Sequence, residues 1–126
     1  MTINEQIRAL IVDDEPHIRA LIKAVTSSIQ GEVVAEASNG VEAVEIFAKL
    51  QPNLVLMDIN MPVMDGISAL KAIVSTQPEA FIIMLTSLSD METIQACVDA
   101  GASGYLRKDT PVAELKKAIE EAWQDR

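Results

Sequence analysis

Most of the short apolar runs in this sequence end in side chains that could together carry out phosphoryl transfer. Asp13 and Asp14 follow the first run, and Asp58 follows the third. Thr86 follows the fourth run, and Lys108 lies just beyond the fifth. A carboxylate can accept a phosphoryl group and clustered carboxylates suit Mg²⁺, whereas a hydroxyl and an ammonium stabilise phosphoryl oxygens. We therefore predict a Mg²⁺-assisted phosphoryl site if the fold brings these run ends together.

The elements that would position these residues are short strands alternating with helices. The runs are continuously apolar for the most part, which is typical of parallel strands covered on both faces. Their alternation with helical periodicity implies right-handed crossovers and helices on both sides of the sheet. The predicted strands are 9–12, 33–35, 54–57, 81–85 and 104–106, and the apolar stripes of the helices fall within 18–25, 41–48, 67–74, 91–98 and 112–122.

The positions of the acids favour one strand order over another. Parallel sheets of this kind commonly have the order 3-2-1-4-5-6 or the flavodoxin-like order 2-1-3-4-5. In the second order the first and third strands are neighbours, so Asp13, Asp14 and Asp58 would meet in one crevice. Like charges about 4 Å apart cost about 4 kcal/mol at an effective dielectric constant of about 20, so a cation such as Mg²⁺ would neutralise them. We predict a doubly wound, five-stranded parallel sheet with five helices, in a single domain over 1–126.

Helix boundaries are predicted from capping patterns. A polar cap with Glu three residues later marks a helix start, as does a cap followed by proline, and glycine often ends a helix. The predicted starts are Asn39 with Glu42, Ser89 with Glu92, and Thr110 before Pro111, and the predicted ends are Gly31 and Gly101.

Composition excludes several classes of function. The chain has 126 residues and a formal net charge of −9, with 10 basic and 19 acidic residues. Such a surface repels nucleic acid and anionic lipid. Aromatic residues make up 3% of the chain, too few for base stacking, and the single cysteine, Cys97, excludes an internal disulfide and is expected in the core. No targeting segment is visible and no apolar run approaches the ~20 residues of a membrane span, so we expect a cytoplasmic protein.

The motif from Met57 to Gly66, Met-Asp-Ile-Asn-Met-Pro-Val-Met-Asp-Gly, resembles the signature of bacterial response-regulator receiver domains. The Asp13-Asp14 pair, Thr86-Ser87 and Lys108 match the other anchors of that signature in order. The resemblance extends from Leu10 to Trp123 and implies a chemotaxis-type receiver of a two-component system.

The resemblance implies a role for each matching site residue. Asp58 would be the phosphoacceptor, which takes its phosphoryl group from a phosphohistidine donor. Asp14 would bind Mg²⁺ directly, Asp13 would act mainly through water, and Asp58 and the carbonyl of Asn60 would complete the ligands.

The resemblance also implies a conformational switch. Thr86 would move towards the phosphoryl group, and Lys108 would pair with Asp58 and then with the phosphoryl oxygens. Tyr105 would change rotamer with the threonine, altering the face formed by the fourth helix, fifth strand and fifth helix. The implied partners are a histidine kinase or phosphotransfer protein, and a downstream target or second receiver. Autodephosphorylation would be the only hydrolysis.

One position departs from the family pattern. Receivers often have proline with a cis peptide bond after the lysine, and here that residue is Asp109. A cis bond without proline costs about 2.5–4 kcal/mol, so we expect a trans bond at Lys108–Asp109. The run Leu106-Arg107-Lys108-Asp109-Thr110 occurs among two-domain, DNA-binding regulators, and any output domain would lie outside this chain.

Three other functions have weaker support from the sequence. An aspartyl-phosphate phosphatase usually has a second Asp two residues after its nucleophile, where this chain has Asn60, which cannot serve as a general acid. A flavodoxin-like electron carrier needs a loop after the first strand that binds a phosphate. Asp13 and Asp14 would repel that phosphate. A phosphorylation-independent interaction module would not need the full set of site residues. Among nearby residues, we expect Asp65 to be a helix cap or turn residue and His17 to be exposed. We expect Glu15 to be a first-turn helix acid that makes a minor contribution to the electrostatic field of the site.

Overall fold

The structure is a computed structural model that describes residues 5–88 and 90–126. Strands and helices alternate along the chain, as the sequence predicts. The strands are β1 (Arg8–Val12), β2 (Glu32–Ala37), β3 (Leu54–Met57), β4 (Ile82–Thr86) and β5 (Gly104–Arg107), and the helices are α1 (Pro16–Ser28), α2 (Gly40–Leu50), α3 (Gly66–Thr76), α4 (Met91–Asp99) and α5 (Val112–Asp125). Among the described residues, no helix has the length and apolar character needed to span a membrane.

The sheet has the order β2-β1-β3-β4-β5, and all of its neighbouring strands are parallel. This is the predicted flavodoxin-like order. Val12 at the end of β1 pairs with Met57 at the end of β3. The residues that follow these two strands therefore start from adjacent points at the carboxyl edge of the sheet.

Side chains alternate across the strands and form an apolar core on each face of the sheet. Helices α2, α3 and α4 cover one face, where Leu10, Val55 and Met84 lie. Helices α1 and α5 cover the other, where Ile11, Leu56 and Leu85 lie. The strands are buried from both sides, which explains why their sequences are continuously apolar.

The predicted stripe of α4 is partly wrong. Met91 is 75% exposed and Val98 is 58% exposed, whereas the predicted core residue Cys97 is fully buried. Helix α4 meets the core through Cys97 and, just beyond its end, Ala100. These small side chains three residues apart lie on one side of the helix, which turns the larger Met91 and Val98 towards solvent.

The helix boundaries confirm some of the predicted caps and correct others. Asn39 caps α2 by accepting a hydrogen bond from the Glu42 amide at 2.9 Å, as predicted. The predicted cap Ser89 lies outside the described residues, and Asp90 caps α4 by accepting from the Thr93 amide at 3.0 Å. At α5 the prediction is wrong by one residue, because Pro111 rather than Thr110 occupies the N-cap position.

One of the two predicted helix ends is also wrong by one residue. Gly101 has a φ of 100° and follows α4 in the left-handed region, as predicted. After α1 the left-handed residue is Gln30, with a φ of 63°, rather than Gly31. A β-carbon on Gly31 would lie 2.8 Å from the Thr26 side chain, so this glycine is required for close packing.

The last turn of α5 forms an aromatic cluster away from the predicted site. The rings of Trp123 and Phe81 meet edge to face, with centroids 6.1 Å apart. The Arg126 guanidinium lies 3.5 Å from the Trp123 ring centroid and 3.2 Å from the Glu5 carboxylate. Phe81 immediately precedes β4, so the cluster lies at the amino-terminal edge of the sheet.

Candidate phosphoryl and metal site

The backbone at the carboxyl edge of the sheet brings two of the predicted acids together. The Asp58 amide donates to the Val12 carbonyl at 2.9 Å, which extends the pairing of β1 and β3 by one residue. The Asp13 amide donates to the Ala37 carbonyl of β2 at 3.0 Å. Asp13 and Asp58 are thus held by continuations of the sheet ladder, which fixes both side chains at the point where the strand order reverses.

The structure brings the three predicted carboxylates into one cluster. Asp13, Asp14 and Asp58 each offer an oxygen within 4.8 Å of the others. Asp13 and Asp58 are buried, at 3% and 5% exposure, whereas Asp14 is exposed. We call this cluster the acidic crevice; it is open to solvent at Asp14, and its hard oxygen donors are those that suit Mg²⁺.

Lys108 bridges the two buried carboxylates. Its Nζ atom lies 2.6 Å from Asp13 Oδ2 and 3.0 Å from Asp58 Oδ2. Neighbouring strands lie about 4.8 Å apart, so this side chain crosses over β4 to reach residues that follow β3 and β1. The Lys108 amide donates to the Thr86 carbonyl at 2.9 Å, which ties the base of the side chain to the end of β4.

The second oxygen of each buried carboxylate accepts a backbone hydrogen bond. Asp13 Oδ1 accepts from the Glu15 amide at 2.9 Å, and Asp58 Oδ1 accepts from the Ile59 amide at 2.8 Å. Within the described residues, no buried side-chain nitrogen or oxygen lacks a hydrogen-bond partner. Both buried carboxylates are therefore fixed in orientation before any ligand arrives.

Burial and ion pairing shift the pKa values of the central pair. Burial raises the pKa of Asp58 above its ordinary value, and the charge of Asp13 adds to this effect, although the hydrogen bond from Lys108 opposes it. Burial alone would lower the pKa of Lys108, but its hydrogen bonds and attraction to Asp13 and Asp58 outweigh that and raise the pKa. Lys108 is therefore a firmly held cation at neutral pH.

The loop after Asp58 packs tightly against the backbone of that residue. The Gly66 amide donates to the Ile59 carbonyl at 2.7 Å, and a β-carbon on Gly66 would lie 1.9 Å from the Asp58 carbonyl oxygen. Asp65 caps α3 by accepting from the Ser68 amide at 2.8 Å, which confirms its predicted role. Asn60, whose carbonyl is a predicted metal ligand, is exposed in this loop.

Thr86 and Tyr105 both hold the backbone of Leu88, in the segment between β4 and α4. The Thr86 hydroxyl is buried and accepts from the Leu88 amide at 3.2 Å. The Tyr105 hydroxyl donates to the Leu88 carbonyl. Burial, the largest influence, raises the pKa of Tyr105, so the phenol remains a donor at neutral pH. The two predicted switch residues therefore both hydrogen-bond to the backbone of Leu88.

Sequence comparison identifies the family of this chain. The family described as "Response regulator receiver domain" matches residues 9–120. The chain belongs to this family. Its match covers every strand except one residue of β1 and includes all of the predicted site residues.

Individual relatives agree with this membership. The receiver is 41% identical over 112 residues to the chemotaxis protein CheY of Bacillus subtilis (strain 168), which covers 89% of this chain and 93% of that protein. It is 32% identical to a solved two-component response regulator of the LuxR family from Aurantimonas sp. SI85-9A1, with a TM-score of 0.90 and coverage of 97% of this chain and 88% of that one. A chain of the solved CheX–CheY–BeF₃–Mg²⁺ complex from Borrelia burgdorferi matches with 26% identity, a TM-score of 0.89 and coverage of 93% and 89%.

The receiver has a trans peptide bond after Lys108, as the sequence predicts, and no cis bond occurs at residues 5–88 or 90–126. Asp109, at the position where the family often has proline, accepts a 2.7 Å hydrogen bond from the Arg107 guanidinium. The Thr110 amide donates to the Arg107 carbonyl at 3.1 Å and closes the turn. An ion pair and a turn hydrogen bond thus shape this loop without a proline.

Three contacts of the receiver site were not predicted from the sequence. Glu15 is the N-cap of α1 rather than a first-turn acid, and its Oε1 lies 3.6 Å from Lys108 Nζ, a direct contact where the sequence suggests only a minor contribution to the field of the site. Arg19 donates to the Asp13 carbonyl at 2.6 Å. Leu88 contributes through its backbone amide and carbonyl, so its side-chain type gives no signal of this role. A basic residue in the first turn of the first helix is the available signal for Arg19.

Proposed function

We propose that this chain is one receiver domain, spanning 1–126, that accepts a phosphoryl group on Asp58 in a Mg²⁺-dependent reaction. The observation that carries the proposal is the position of the Asp58 carboxylate, which shares the Lys108 ammonium with Asp13 and clusters with the acidic pair at the end of β1. One oxygen of Asp58 is fixed by the Ile59 amide, and the other faces Lys108. The second oxygen is the proposed nucleophile.

The acidic crevice fits a divalent cation. Asp14 is exposed and is proposed as a direct ligand, whereas Asp13 is the least exposed of the three carboxylates. Asp13 is therefore proposed to act through a metal-bound water. Asp58 and the Asn60 carbonyl complete the proposed donor set. When bound, Mg²⁺ would neutralise the clustered charge and stabilise the phosphoryl oxygens. The Borrelia burgdorferi CheY complex that contains BeF₃ and Mg²⁺ supports this choice of metal.

The proposed transfer forms one bond and breaks one bond. An Asp58 carboxylate oxygen attacks the phosphorus of a phosphohistidine, and the phosphorus–nitrogen bond breaks with its electron pair passing to the imidazole, which takes a proton from solvent. Lys108 donates to the phosphoryl oxygens. In autodephosphorylation, water attacks the phosphorus and the Asp58 carboxylate leaves. The proposed donor is a histidine kinase or phosphotransfer protein, and the proposed output is contact with a downstream protein or a second receiver.

Leu88 suggests how the phosphoryl group would alter the output face. If the Thr86 hydroxyl turns towards the phosphoryl group, the Leu88 amide loses its acceptor. The Leu88 carbonyl, which Tyr105 holds, would then move with the same peptide segment. This coupling would change the surface formed by α4, β5 and α5, where Met91, Val98 and Val112 are exposed. These apolar side chains give that surface the character of a protein contact.

Labelling by a small phosphodonor tests the acceptor assignment. With acetyl phosphate and Mg²⁺, the wild type is expected to gain the mass of one phosphoryl group, and the gain should disappear with EDTA. Asp58→Asn removes the nucleophilic oxygen and is expected to abolish labelling. Asp65→Asn is the matched control, since it makes the same change at an exposed cap that asparagine also satisfies. Equal labelling of the Asp58→Asn variant would refute the proposal, and steady release of phosphate from small esters would favour the phosphatase alternative.

Amide NMR tests the proposed coupling through Leu88. BeF₃⁻ with Mg²⁺, an analogue of the phosphoryl group, is expected to shift the Leu88 amide and the signals of Tyr105 in the wild type. In Thr86→Val the hydroxyl is absent, so we expect the Ile59 amide beside Asp58 to shift still while the Tyr105 response largely disappears. An unchanged Tyr105 response in Thr86→Val would contradict the coupling.

A further inference from the structure

Glu15 reaches into the mouth of the site from the loop after β1. Its Oε1 lies 3.6 Å from Lys108 Nζ, and its Oε2 lies 3.9 Å from His17 Nε2. The Glu15 side chain is 50% exposed, whereas the side chains of Asp13 and Asp58 are 4% and 6% exposed. Glu15 is therefore the solvent-facing member of the three carboxylates around Lys108.

The position of Glu15 in the helix is unusual for its residue type. Glu15 occupies the N-cap of α1, and within the described residues its side chain makes no capping hydrogen bond. Short polar side chains are preferred at this position because they can accept from the first turn of the helix. The Glu15 carboxylate instead extends towards Lys108, so helix capping does not explain the residue.

The geometry of the ammonium group determines what a phosphoryl group would displace. A lysine ammonium has three N–H donors, and Lys108 has three carboxylates around it, at 2.6, 3.0 and 3.6 Å. An arriving phosphoryl group needs at least one of these donors. The contact with Glu15 is the longest and most exposed of the three, so it is the contact that is lost most readily.

We propose that Glu15 is a positioning residue that competes with the phosphoryl group for Lys108 and thereby weakens phosphoryl binding at Asp58. In the resting state the Glu15 carboxylate attracts the Lys108 ammonium, and its negative charge repels an incoming anion. The inference rests on the proposed function of Asp58. It adds a residue outside the acceptor and metal set that would adjust how strongly the site holds the phosphoryl group.

The test measures the affinity of the full chain for BeF₃⁻ in the presence of saturating Mg²⁺, followed by the Ile59 amide signal. Glu15→Gln keeps the length of the side chain and removes its charge, so its dissociation constant is expected to be about two- to five-fold lower than that of the wild type. Glu15→Asp restores the charge and is expected to return the constant towards the wild-type value. Glu32→Gln, an exposed residue at the amino-terminal edge of the sheet, is the matched control and should equal the wild type.

Salt separates a charge effect from a structural one. A through-space effect of an exposed carboxylate is screened by salt, so the difference between Glu15→Gln and the wild type should shrink at high ionic strength. A difference that persists in high salt, or that Glu15→Asp shares, would overturn the proposed competition. Normal BeF₃⁻ binding by the wild type with no effect of Glu15→Gln would remove this inference and leave the acceptor assignment intact. If the wild type binds no BeF₃⁻, both proposals fall.

Discussion

Lys108→Met is expected to lower the free energy of unfolding by about 3–5 kcal/mol in Mg²⁺-free buffer. Methionine keeps most of the aliphatic length but removes the cation that lies 2.6 Å from Asp13 and 3.0 Å from Asp58. Two buried carboxylates would then face each other with no opposite charge between them. Urea denaturation at neutral pH with EDTA measures the loss, and a change below about 1 kcal/mol would contradict the central role of this ion pair.

Two comparisons isolate the charge. Lys117→Met makes the same change on the exposed side of α5 and should have little effect. Adding Asp58→Asn to Lys108→Met removes one of the stranded charges and should restore a large part of the lost stability.

The same ion pairs have a pH dependence with a defined sign. The pKa of Lys108 is raised above its ordinary value of 10.5. A group with a raised pKa in the folded state stabilises the fold fully below its unfolded pKa, and loses that contribution as the pH rises through the folded value. The difference between the wild type and Lys108→Met should therefore be constant near neutral pH and diminish only in the strongly alkaline range.

Gly66→Ala is expected to cost at least about 3 kcal/mol, above the usual range for an added methyl group in a packed interior. The new β-carbon would lie 1.9 Å from the Asp58 carbonyl oxygen and 3.0 Å from the Ile59 α-carbon. These are backbone atoms that cannot rotate away. Relief requires α3 to move off the acceptor loop, so we also expect weaker BeF₃⁻ binding. Thermal unfolding with and without BeF₃⁻ and Mg²⁺ measures both effects.

Gly104→Ala provides the matched control for this substitution. A β-carbon on Gly104 would meet the Ile83 side chain at 3.6 Å, an ordinary contact distance. The variant should therefore stay within about 1 kcal/mol of the wild type. Equal losses in the two variants would mean that the close approach at Gly66 is not the cause.

The parts of the site that the sequence predicts are those determined by strand ends. Asp13 and Asp58 are found together because β1 and β3 are neighbours and each residue directly follows its strand. Parallel topology places all such residues at one edge, so the composition of the strand ends is enough to predict the crevice. The same rule accounts for Lys108, which follows β5 and whose Nζ atom lies 3.0 Å from Asp58 Oδ2, and for Thr86, which ends β4.

The sequence could not predict contacts that depend on side-chain direction or on the backbone. Glu15 is the N-cap of α1, and its residue type does not reveal whether the carboxylate caps the helix or extends towards Lys108. Leu88 acts through its amide and carbonyl, which every residue type except proline offers. The predicted stripe of α4 is partly wrong because the small Cys97 and Ala100, rather than Met91 and Val98, pack against the core.

The aromatic cluster at the end of α5 has a practical consequence for spectroscopy. Trp123 is the single tryptophan of the chain and lies about 16 Å along the helix axis from Val112, which begins α5 near Lys108. Its indole is covered by the Arg126 guanidinium and packs edge to face with the Phe81 ring. Fluorescence from this indole therefore reports the loss of tertiary packing as the chain denatures, and it is a sound optical measure of stability for variants whose chemistry at the opposite edge has been changed.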